Sequence, residues 1–225
     1  MTEPPPSATP PRKRVAVLIS GRGSNMMSLV AAARAPDYPA EICLVVSNRP
    51  DAAGLAWAKA EGIPALALDH KLYADRAHFE AQLDAVLTAS RIEIVALAGF
   101  MRLLTADFVA RWQGRMINIH PSLLPAFKGL DTHARALAAG VRIAGCTVHF
   151  VSVEMDEGPI IAQGAVAVLA EDTPQTLAAR VLDVEHVLYP QALRALALGQ
   201  VELAGNRVRT LPEVNHALAL MSQIR

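Results

Sequence analysis

The sequence predicts an α/β protein built on an open, mostly parallel twisted sheet with helices on both faces. Runs such as RVAVLIS (14–20) and EICLVVS (41–47) are apolar at consecutive positions, which is typical of strands buried on both faces. Segments with helical spacing of their apolar residues lie between such runs, as expected when helices connect parallel strands. A glycine-rich loop follows the first run, at a position where open α/β sheets commonly bind ligands.

Five strands are predicted in the first part of the chain, at 14–20, 41–47, 64–68, 92–98 and 115–120. Helices are predicted between the first four of them, at 24–34, 51–61 and 75–90. Strands at 145–153 and 159–168 are separated by only a short polar loop. We expect them to be antiparallel, because a parallel crossover needs about a dozen residues or more. A helix at 173–198 and a hairpin in VELAGNRVR (201–209) complete the expected elements. A single domain over 13–225 with an antiparallel carboxyl-terminal extension is therefore predicted.

The amino-acid composition argues against a nucleic-acid partner and against a membrane-spanning protein. Hydrophobic residues make up 52% of the 225 residues and the formal net charge is zero, which argues against nucleic acid as a main partner. No apolar run is long enough to span a membrane. Five of the first eleven residues are proline, so residues 1–12 are expected to form a disordered tail rather than a secretory signal. Cys43 and Cys146 lie in apolar runs and are expected to be buried free thiols.

From these features we expect a cytoplasmic protein that acts on small molecules. It should need neither nucleic acid nor a membrane as partner, and it should be a monomer or a weak homodimer. No cluster of histidine, cysteine and carboxylate residues has metal-ligand spacing, so no metal is expected.

The glycine loop Ser20–Asn25 predicts an anion site at the start of the first helix. Free backbone N–H groups and the helix dipole both favour an anion at this position. A dinucleotide fingerprint would have a third glycine at Met26 and an acidic residue near Ser47–Arg49, so NAD is disfavoured. The loop is therefore interpreted as a cradle for a single phosphate, with Ser24 and Asn25 as side-chain donors. A tight turn without a ligand remains the alternative.

Three polar residues are candidates for catalysis. Asn118 and His120 are two apart at the end of a predicted strand, so their side chains project to the same side. An amide can stabilise an oxyanion while an imidazole moves a proton. Asp156 lies in the loop MDEGP between two strands and could pair with His120. Alternatively, Asp156 only caps its own turn.

Four segments together resemble a known family. They are SGRGSN (20–25), AGFMRLL (98–104), GRMINIHPSLLPAFKGLDTH (114–133) and GCTVHFVSVEMDEGPIIAQ (145–163). In this order they resemble the folate-dependent formyltransferases, over residues 14 to about 190. The resemblance implies a Rossmann-like fold and transfer of a formyl group from 10-formyltetrahydrofolate, as co-substrate, to the amine of glycinamide ribonucleotide. It places phosphate binding in the half of the domain up to about 112, and catalysis and folate binding in the rest.

The resemblance also implies roles for individual residues. Those implied for the ribonucleotide are Gly23, Ser24, Asn25 and Glu185. Those implied for the folate are Arg76, Phe100, Met101, Arg102, Leu103, Leu104 and Asn118. The implied catalytic residues are Asn118, His120 and Asp156. Two positions depart from the family pattern, since Thr147 stands where serine is common and Leu182 where some members have a polar residue near the ribonucleotide.

Other functions share part of this pattern. Formyltetrahydrofolate deformylases and methionyl-tRNA formyltransferases resemble the chain in the Asn-x-His and Asp elements. The former normally carry an amino-terminal regulatory domain and the latter a carboxyl-terminal tRNA-binding domain. A non-catalytic folate or sugar-phosphate sensor is a further alternative. The SGRGSN loop favours a small substrate with a phosphate group over the deformylase and the tRNA formyltransferase, and the sensor has little support because Asn118, His120 and Asp156 are all present.

Overall fold

The structure is a computed structural model that describes residues 11–211 and 218–221. Its strands are β1 (Lys13–Ile19), β2 (Ala40–Ser47), β3 (Ala65–Ala67), β4 (Ile94–Leu97), β5 (Met116–His120), β6 (Ile143–Phe150), β7 (Ile160–Ala167), β8 (Val201–Ala204), β9 (Arg207–Thr210) and β10 (Ala219–Met221). Its helices are α1 (Ser24–Ala33), α2 (Ala53–Ala60), α3 (Arg76–Ala89), α4 (Ala106–Arg111), α5 (Thr132–Ala138) and α6 (Pro174–Ala197). Every predicted strand and helix is present, with ends that differ by at most three residues.

The described strands form one large mixed sheet and a separate hairpin. The large sheet has the order β10-β7-β6-β5-β4-β1-β2-β3. The strands β1 to β5 are parallel to their neighbours among themselves. The strand β6 is antiparallel to both β5 and β7, as predicted for the carboxyl-terminal pair. The hairpin of β8 and β9 is also confirmed, while β10, which joins the edge of the sheet parallel to β7, was not predicted.

Helices cover both faces of the sheet because its central strands are apolar on both faces. Along β1, Val15, Val17 and Ile19 belong to the core on the side of α1, α2, α5 and α6. Ala16 and Leu18 belong to the core on the side of α3 and α4. The consecutive apolar residues noted in the sequence therefore divide between two cores.

The long helix α6 starts with strong local signals. Pro174 occupies the first helical position, where a missing N–H costs nothing. The Thr173 and Thr176 side chains form a reciprocal capping box. Further along, Leu188 and Tyr189 are completely buried. The helix thus lies firmly on the sheet and crosses close to the ends of β4 and β5.

The strand order creates an opening at the carboxyl ends of the strands. From the neighbours β1 and β4, the chain continues outward in opposite directions, to β2 and β3 on one side and to β5 on the other. Connections therefore diverge at this point, and the crevice outside the strand ends is the usual ligand site of an open α/β sheet.

At the amino terminus, residues 1–10 of the predicted tail lie outside the described residues. Arg12, which the prediction assigned to the tail, donates hydrogen bonds to the carbonyl oxygens of Ala33 and Ala40. The ordered body therefore begins no later than Arg12. Cys43 and Cys146 are free thiols, as predicted, but only Cys146 is buried, whereas both were expected to be; Cys43 is partly exposed. Among the described helices, none combines the length and the apolar character that a membrane span requires.

Candidate active site

A cleft of about 790 Å³ lies at the carboxyl edge of the sheet. It is bordered by the ends of β4, β5 and β6, by the loops that follow them and by α6. Ten of the residues predicted for the site line it, namely Asn25, Phe100, Met101, Arg102, Leu103, Leu104, Asn118, His120, Asp156 and Glu185. Residues from five separate parts of the sequence are thus brought to one cavity.

The glycine loop leaves the first helix open to a ligand. Gly23 is the residue before α1 and adopts φ 73°, a left-handed conformation that glycine tolerates best. No side chain caps the free N–H groups at the start of α1, so those groups can receive an anion. Gly23 and Ser24 flank the cleft without lining it, whereas Asn25 does line it.

Helix α2 supports this loop from behind. The N–H group of Gly54 donates to the carbonyl oxygen of Gly21 at 3.1 Å. A Cβ atom on Gly54 would lie 2.5 Å from Ile19 Cδ1 and 3.0 Å from the carbonyl oxygens of Gly21 and Arg22. The sequence analysis did not identify Gly54, because nothing in its neighbourhood of small residues shows which backbone it must approach.

Asn25 links the glycine loop to α6. Its Nδ2 atom donates to Glu185 Oε2 at 2.6 Å. Its Oδ1 atom is buried and has no hydrogen-bond partner in the described part of the chain. Burial raises the pKa of Glu185 to about 7, although the bond from Asn25 opposes that rise. The next residue, His186, does not line the cleft, and burial lowers its pKa.

The three candidate catalytic residues meet at the centre of the cleft. His120 Nδ1 lies 3.4 Å from Asp156 Oδ2, and His120 Nε2 lies 3.1 Å from the carbonyl oxygen of Phe127. Asp156 Oδ2 also accepts a hydrogen bond of 2.8 Å from the N–H group of Gly129. The Asp156 carboxylate therefore contacts groups outside its own turn, as the pairing hypothesis requires.

His149 is a fourth polar member of this cluster that the sequence analysis missed. It lies opposite Asn118 across the antiparallel pair of β5 and β6, and its Nε2 atom is 3.2 Å from Asn118 Nδ2. The cleft is also lined by Gly129, Leu130, Asp131, Thr132, His133, Val151, Ser152, Val153 and Met155. In the sequence, His149 is a single histidine within an apolar strand, and only the register with β5 reveals its place.

The segment 100–104 forms the other end of the cleft. The Met101 N–H group donates to Ser20 Oγ at 2.8 Å, which fixes the segment to the end of β1. The Arg102 guanidinium lies 5.1 Å from the centre of the Phe79 ring. Met101 and Leu103 remain exposed, so this end offers an apolar surface. Arg76 begins α3 with an exposed side chain and is not among the residues that line the cleft.

The two positions that depart from the family pattern differ in their surroundings. Thr147 is fully buried. Its hydroxyl accepts from the Leu124 N–H group and donates to the Ser122 carbonyl oxygen, so it holds the loop after β5 without touching the cleft. Leu182 does line the cleft.

Such an edge, with an amide, an imidazole and a carboxylate around one cavity of a doubly wound sheet, defines an α/β enzyme for small molecules. In the part of the chain that the structure describes, no group of three or more histidine, cysteine and acidic side chains is placed to hold a metal ion.

Comparison with known proteins agrees with this class. The model of the formyl transferase family matches residues 13–193. Phosphoribosylglycinamide formyltransferase of Haemophilus influenzae is 36% identical over 209 residues, which cover 91% of this chain and 99% of that protein. The trifunctional purine biosynthetic protein adenosine-3 of Bos taurus is 50% identical over 200 residues, 89% of this chain, but the chain spans only 20% of that protein. The chain therefore belongs to the formyl transferase family.

Solved structures show the same relationship. Glycinamide ribonucleotide transformylase 1 of Symbiobacterium toebii superposes with a TM-score of 0.86 at 45% identity, covering 89% of this chain and 94% of that one. A formyltetrahydrofolate deformylase of Pseudomonas syringae has a TM-score of 0.82 at 26% identity, covering 90% of this chain and 67% of that one. The predicted formyltransferase fold is confirmed.

Proposed function

We propose that this protein transfers the formyl group of 10-formyltetrahydrofolate to the primary amine of N1-(5-phospho-D-ribosyl)glycinamide. The products would be the N-formyl ribonucleotide and tetrahydrofolate, in a cytoplasmic step of purine nucleotide synthesis. The single observation that carries the proposal is that an open helix N-terminus, an apolar segment and the Asn118–His120–Asp156 cluster meet in and around one cleft. Sequence identity with the Haemophilus influenzae enzyme over almost its whole length supports the choice of substrate.

The ribonucleotide would bind between the glycine loop and α6. Its phosphate would accept hydrogen bonds from the uncapped N–H groups of Gly23, Ser24 and Asn25. Glu185 and the free Oδ1 atom of Asn25 lie between that loop and the catalytic cluster, where they can contact the rest of this substrate. Leu182 lines the same wall of the cleft and offers only an apolar contact there.

The folate would bind at the opposite end, along residues 100–104. Backbone N–H and carbonyl groups of this segment can recognise the pterin ring, while Leu104 and Phe100 provide an apolar floor. The exposed Met101 and Leu103 side chains would cover the apolar part of the molecule. Arg76 would act, at most, on a portion of the folate that extends beyond the cleft, since it does not line the cavity.

The reaction follows from the groups between these two ends. The amine nitrogen attacks the formyl carbon and gives a tetrahedral intermediate with a negatively charged oxygen. One N–H bond of Asn118 Nδ2 points to His149, and the second remains to stabilise this oxygen. A donor of this kind is worth about 3–4 kcal/mol in comparable sites. The bond from the carbon to N10 of the folate then breaks.

His120 and Asp156 would carry the proton in this step. The proton leaves the attacking nitrogen, passes to the Asp156 carboxylate or to a water that it holds, and reaches the departing N10. His120 Nδ1 lies 3.4 Å from Asp156 Oδ2, so the imidazole can share in this transfer. Its Nε2 atom is engaged by the Phe127 carbonyl oxygen. In this geometry the Asn118 amide is therefore the donor available to the oxyanion, whereas His120 would have to leave Phe127 to assist.

Incubation with 10-formyltetrahydrofolate, with and without the ribonucleotide, tests the proposal. We expect tetrahydrofolate and formylated ribonucleotide to form together, and only when both substrates are present. Steady release of formate and tetrahydrofolate without the ribonucleotide would instead indicate a deformylase, the activity named for the Pseudomonas syringae relative. Binding of both ligands without turnover would indicate a sensor.

A further inference from the structure

His149 lies beside the proposed reaction centre but has no role in the mechanism above. It is buried, it lines the cleft, and it faces Asn118 across the β5–β6 pair. Its Nδ1 atom is 2.8 Å from the carbonyl oxygen of Phe150. Its Nε2 atom is 3.2 Å from Asn118 Nδ2. Both ring nitrogens therefore have a defined partner.

These two partners determine where the ring carries its hydrogen. A carbonyl oxygen can only accept, so Nδ1 must donate to Phe150. The Asn118 amide nitrogen can only donate, so Nε2 must accept from it. A neutral imidazole with its hydrogen on Nδ1 satisfies both contacts, and a charged imidazole would place two donors against each other at Asn118.

The charges around the ring are consistent with this state. Burial lowers the pKa of His149, and the charge of His120 acts in the same direction. The bond to Phe150 and the Asp156 carboxylate, whose Oδ1 atom is 3.9 Å from Nε2, act against it. Burial is the largest of these effects, so the ring is kept neutral.

We propose that His149 is a positioning residue that fixes the orientation of the Asn118 amide. His149 Nε2 accepts a hydrogen bond from Asn118 Nδ2. This bond keeps the amide nitrogen of Asn118, and not the amide oxygen, facing His149. The second N–H bond is then directed to the oxyanion. This role rests on the proposed formyl transfer, since it acts through the residue assigned to the oxyanion.

A double-mutant cycle tests this role. His149→Leu removes the acceptor, and we expect kcat to fall about 10- to 100-fold, a part of the roughly 10²–10³-fold loss for a missing oxyanion donor. The KM for the ribonucleotide should change less than kcat. His149→Gln can again accept near the position of Nε2, and it should recover most of kcat. In an Asn118→Ala background, His149→Leu should have little further effect.

Two outcomes of the cycle would overturn the proposal. One is an equal fall in kcat when His149→Leu is introduced into the wild-type protein and into the Asn118→Ala variant, because His149 would then act independently of Asn118. The other is a Gln variant that is no more active than the Leu variant, because an acceptor would then be irrelevant. The pH profile adds a readout, since the Gln variant should lose the acid-side decline in kcat that comes from protonating His149.

The ring state can also be measured without the reaction. In the wild-type protein at neutral pH, nitrogen-15 NMR of the ring should show a protonated Nδ1 and an unprotonated Nε2 for His149. A protonated Nε2 would refute the orientation mechanism even if formyl transfer is confirmed. Conversely, absence of formyl transfer with the expected ring state would count against the proposed function alone. If the Leu variant does not fold, the Gln variant and this spectrum still decide the question.

Discussion

Two of the contacts of Asp156 differ in kind, one to the backbone of Gly129 and one to the imidazole of His120. The first holds a loop and the second reaches the proposed reaction centre. Substitution by asparagine keeps the size of the side chain and removes its charge, so it should separate these two contributions.

We predict that Asp156→Asn lowers kcat by about 10²–10⁴-fold, the usual contribution of a general acid or base. The ribonucleotide KM should stay close to the wild-type value, because the proposed phosphate contacts lie at the glycine loop. Glu157→Gln is the matched control, since it removes a charge from the neighbouring, exposed residue that pairs with Lys128. If the two variants had similar kinetics, Asp156 would have only a structural role in its turn.

Glu185 leads to a prediction about stability and pH. Burial raises the pKa of its carboxyl group from 4.5 to about 7. Between these values the folded protein holds a proton that the unfolded chain has released, so this residue lowers the free energy of unfolding as the pH rises. In Glu185→Gln this loss should be absent, and the variant should gain stability relative to wild type between about pH 5 and pH 8.

Denaturant unfolding of both proteins at these two pH values measures the difference. Glu93→Gln serves as the control, because its bond to Lys13 lowers the pKa of that carboxyl group. Glu93 is therefore ionised in both states over the same range and should produce no such trend. A Glu185→Gln variant whose stability parallels wild type at both pH values would contradict the prediction.

Among individual residues, the sequence reveals polar side chains that interrupt an apolar strand or follow the glycines of a loop. The Asn-x-His pair could be singled out because polar side chains are unusual at the end of an apolar strand, whereas spacing alone left open whether Asp156 pairs with His120 or only caps its own turn. His149 and Gly54 could not be recognised, because their importance lies in contacts with distant parts of the sequence. His149 contacts Asn118, which is 31 positions away, and Gly54 contacts Gly21, which is about 33 positions away. Spacing within one strand or helix carries no information about such contacts.

At the scale of the elements, backbone contacts shape the proposed anion site. The glycine loop rests on α2 at Gly54, and no space exists there for a side chain. Any atom added at this point must move Ile19 or the carbonyl groups of the loop.

We predict that Gly54→Ala raises the KM for the ribonucleotide strongly, because it displaces the backbone that should hold the phosphate. Binding of the folate alone, measured by calorimetry, should change less, since residues 100–104 contact the loop at Ser20 whereas Gly54 contacts it at Gly21 and Arg22. Ala56→Ser, an exposed position of the same helix, should behave as wild type. Equal weakening of both substrates in Gly54→Ala would show that the loop does not bind the phosphate on its own.

Most elements could be predicted, but the short helices α4 and α5 and the strand β10 could not. The strands β1 and β2 and the helices α3 and α6 were found because several consecutive turns or residues repeat one pattern. The helices α4 and α5 have only six and seven residues, too few for a period to be recognised. The start of α4 is held both by the Thr105 hydroxyl, which accepts from the Phe108 N–H group, and by the distant Glu80 carboxylate, which accepts from the N–H and hydroxyl groups of Thr105.

For the whole molecule, the boundary between body and tail can be tested. The Arg12 guanidinium joins the end of α1 to the start of β2, because its Nε and Nη2 atoms donate to the carbonyl oxygens of Ala33 and Ala40. Hydrogen bonds from a charged group contribute about 1.5–3 kcal/mol when buried, and these are only partly buried.

We predict that a protein beginning at Lys13 melts about 2–4 °C lower than the full chain, which corresponds to roughly 1 kcal/mol for a domain of this size. A protein that begins at Pro11 should match the full chain. Arg12→Ala in the full chain should reproduce the loss. If the proteins beginning at Pro11 and Lys13 have the same melting temperature, Arg12 contributes nothing to stability. A loss already present in the protein beginning at Pro11 would assign a contribution to the preceding residues.

The buried Tyr189 hydroxyl donates to the carbonyl oxygens of Leu97 and Ile117, at 2.9 and 3.2 Å. Leu97 is the last residue of β4, and Ile117 immediately precedes Asn118 on β5. Glu185 lies one turn of α6 before Tyr189. Tyr189 therefore joins the part of α6 that carries Glu185 to the strand that carries Asn118, and we predict that these two side chains move together as one body. Substrate entry and product release must then depend on motion of the surrounding loops, and not on the opening and closing of two lobes. Time-resolved measurements of turnover should accordingly locate any slow conformational step in residues 121–131 or 152–157.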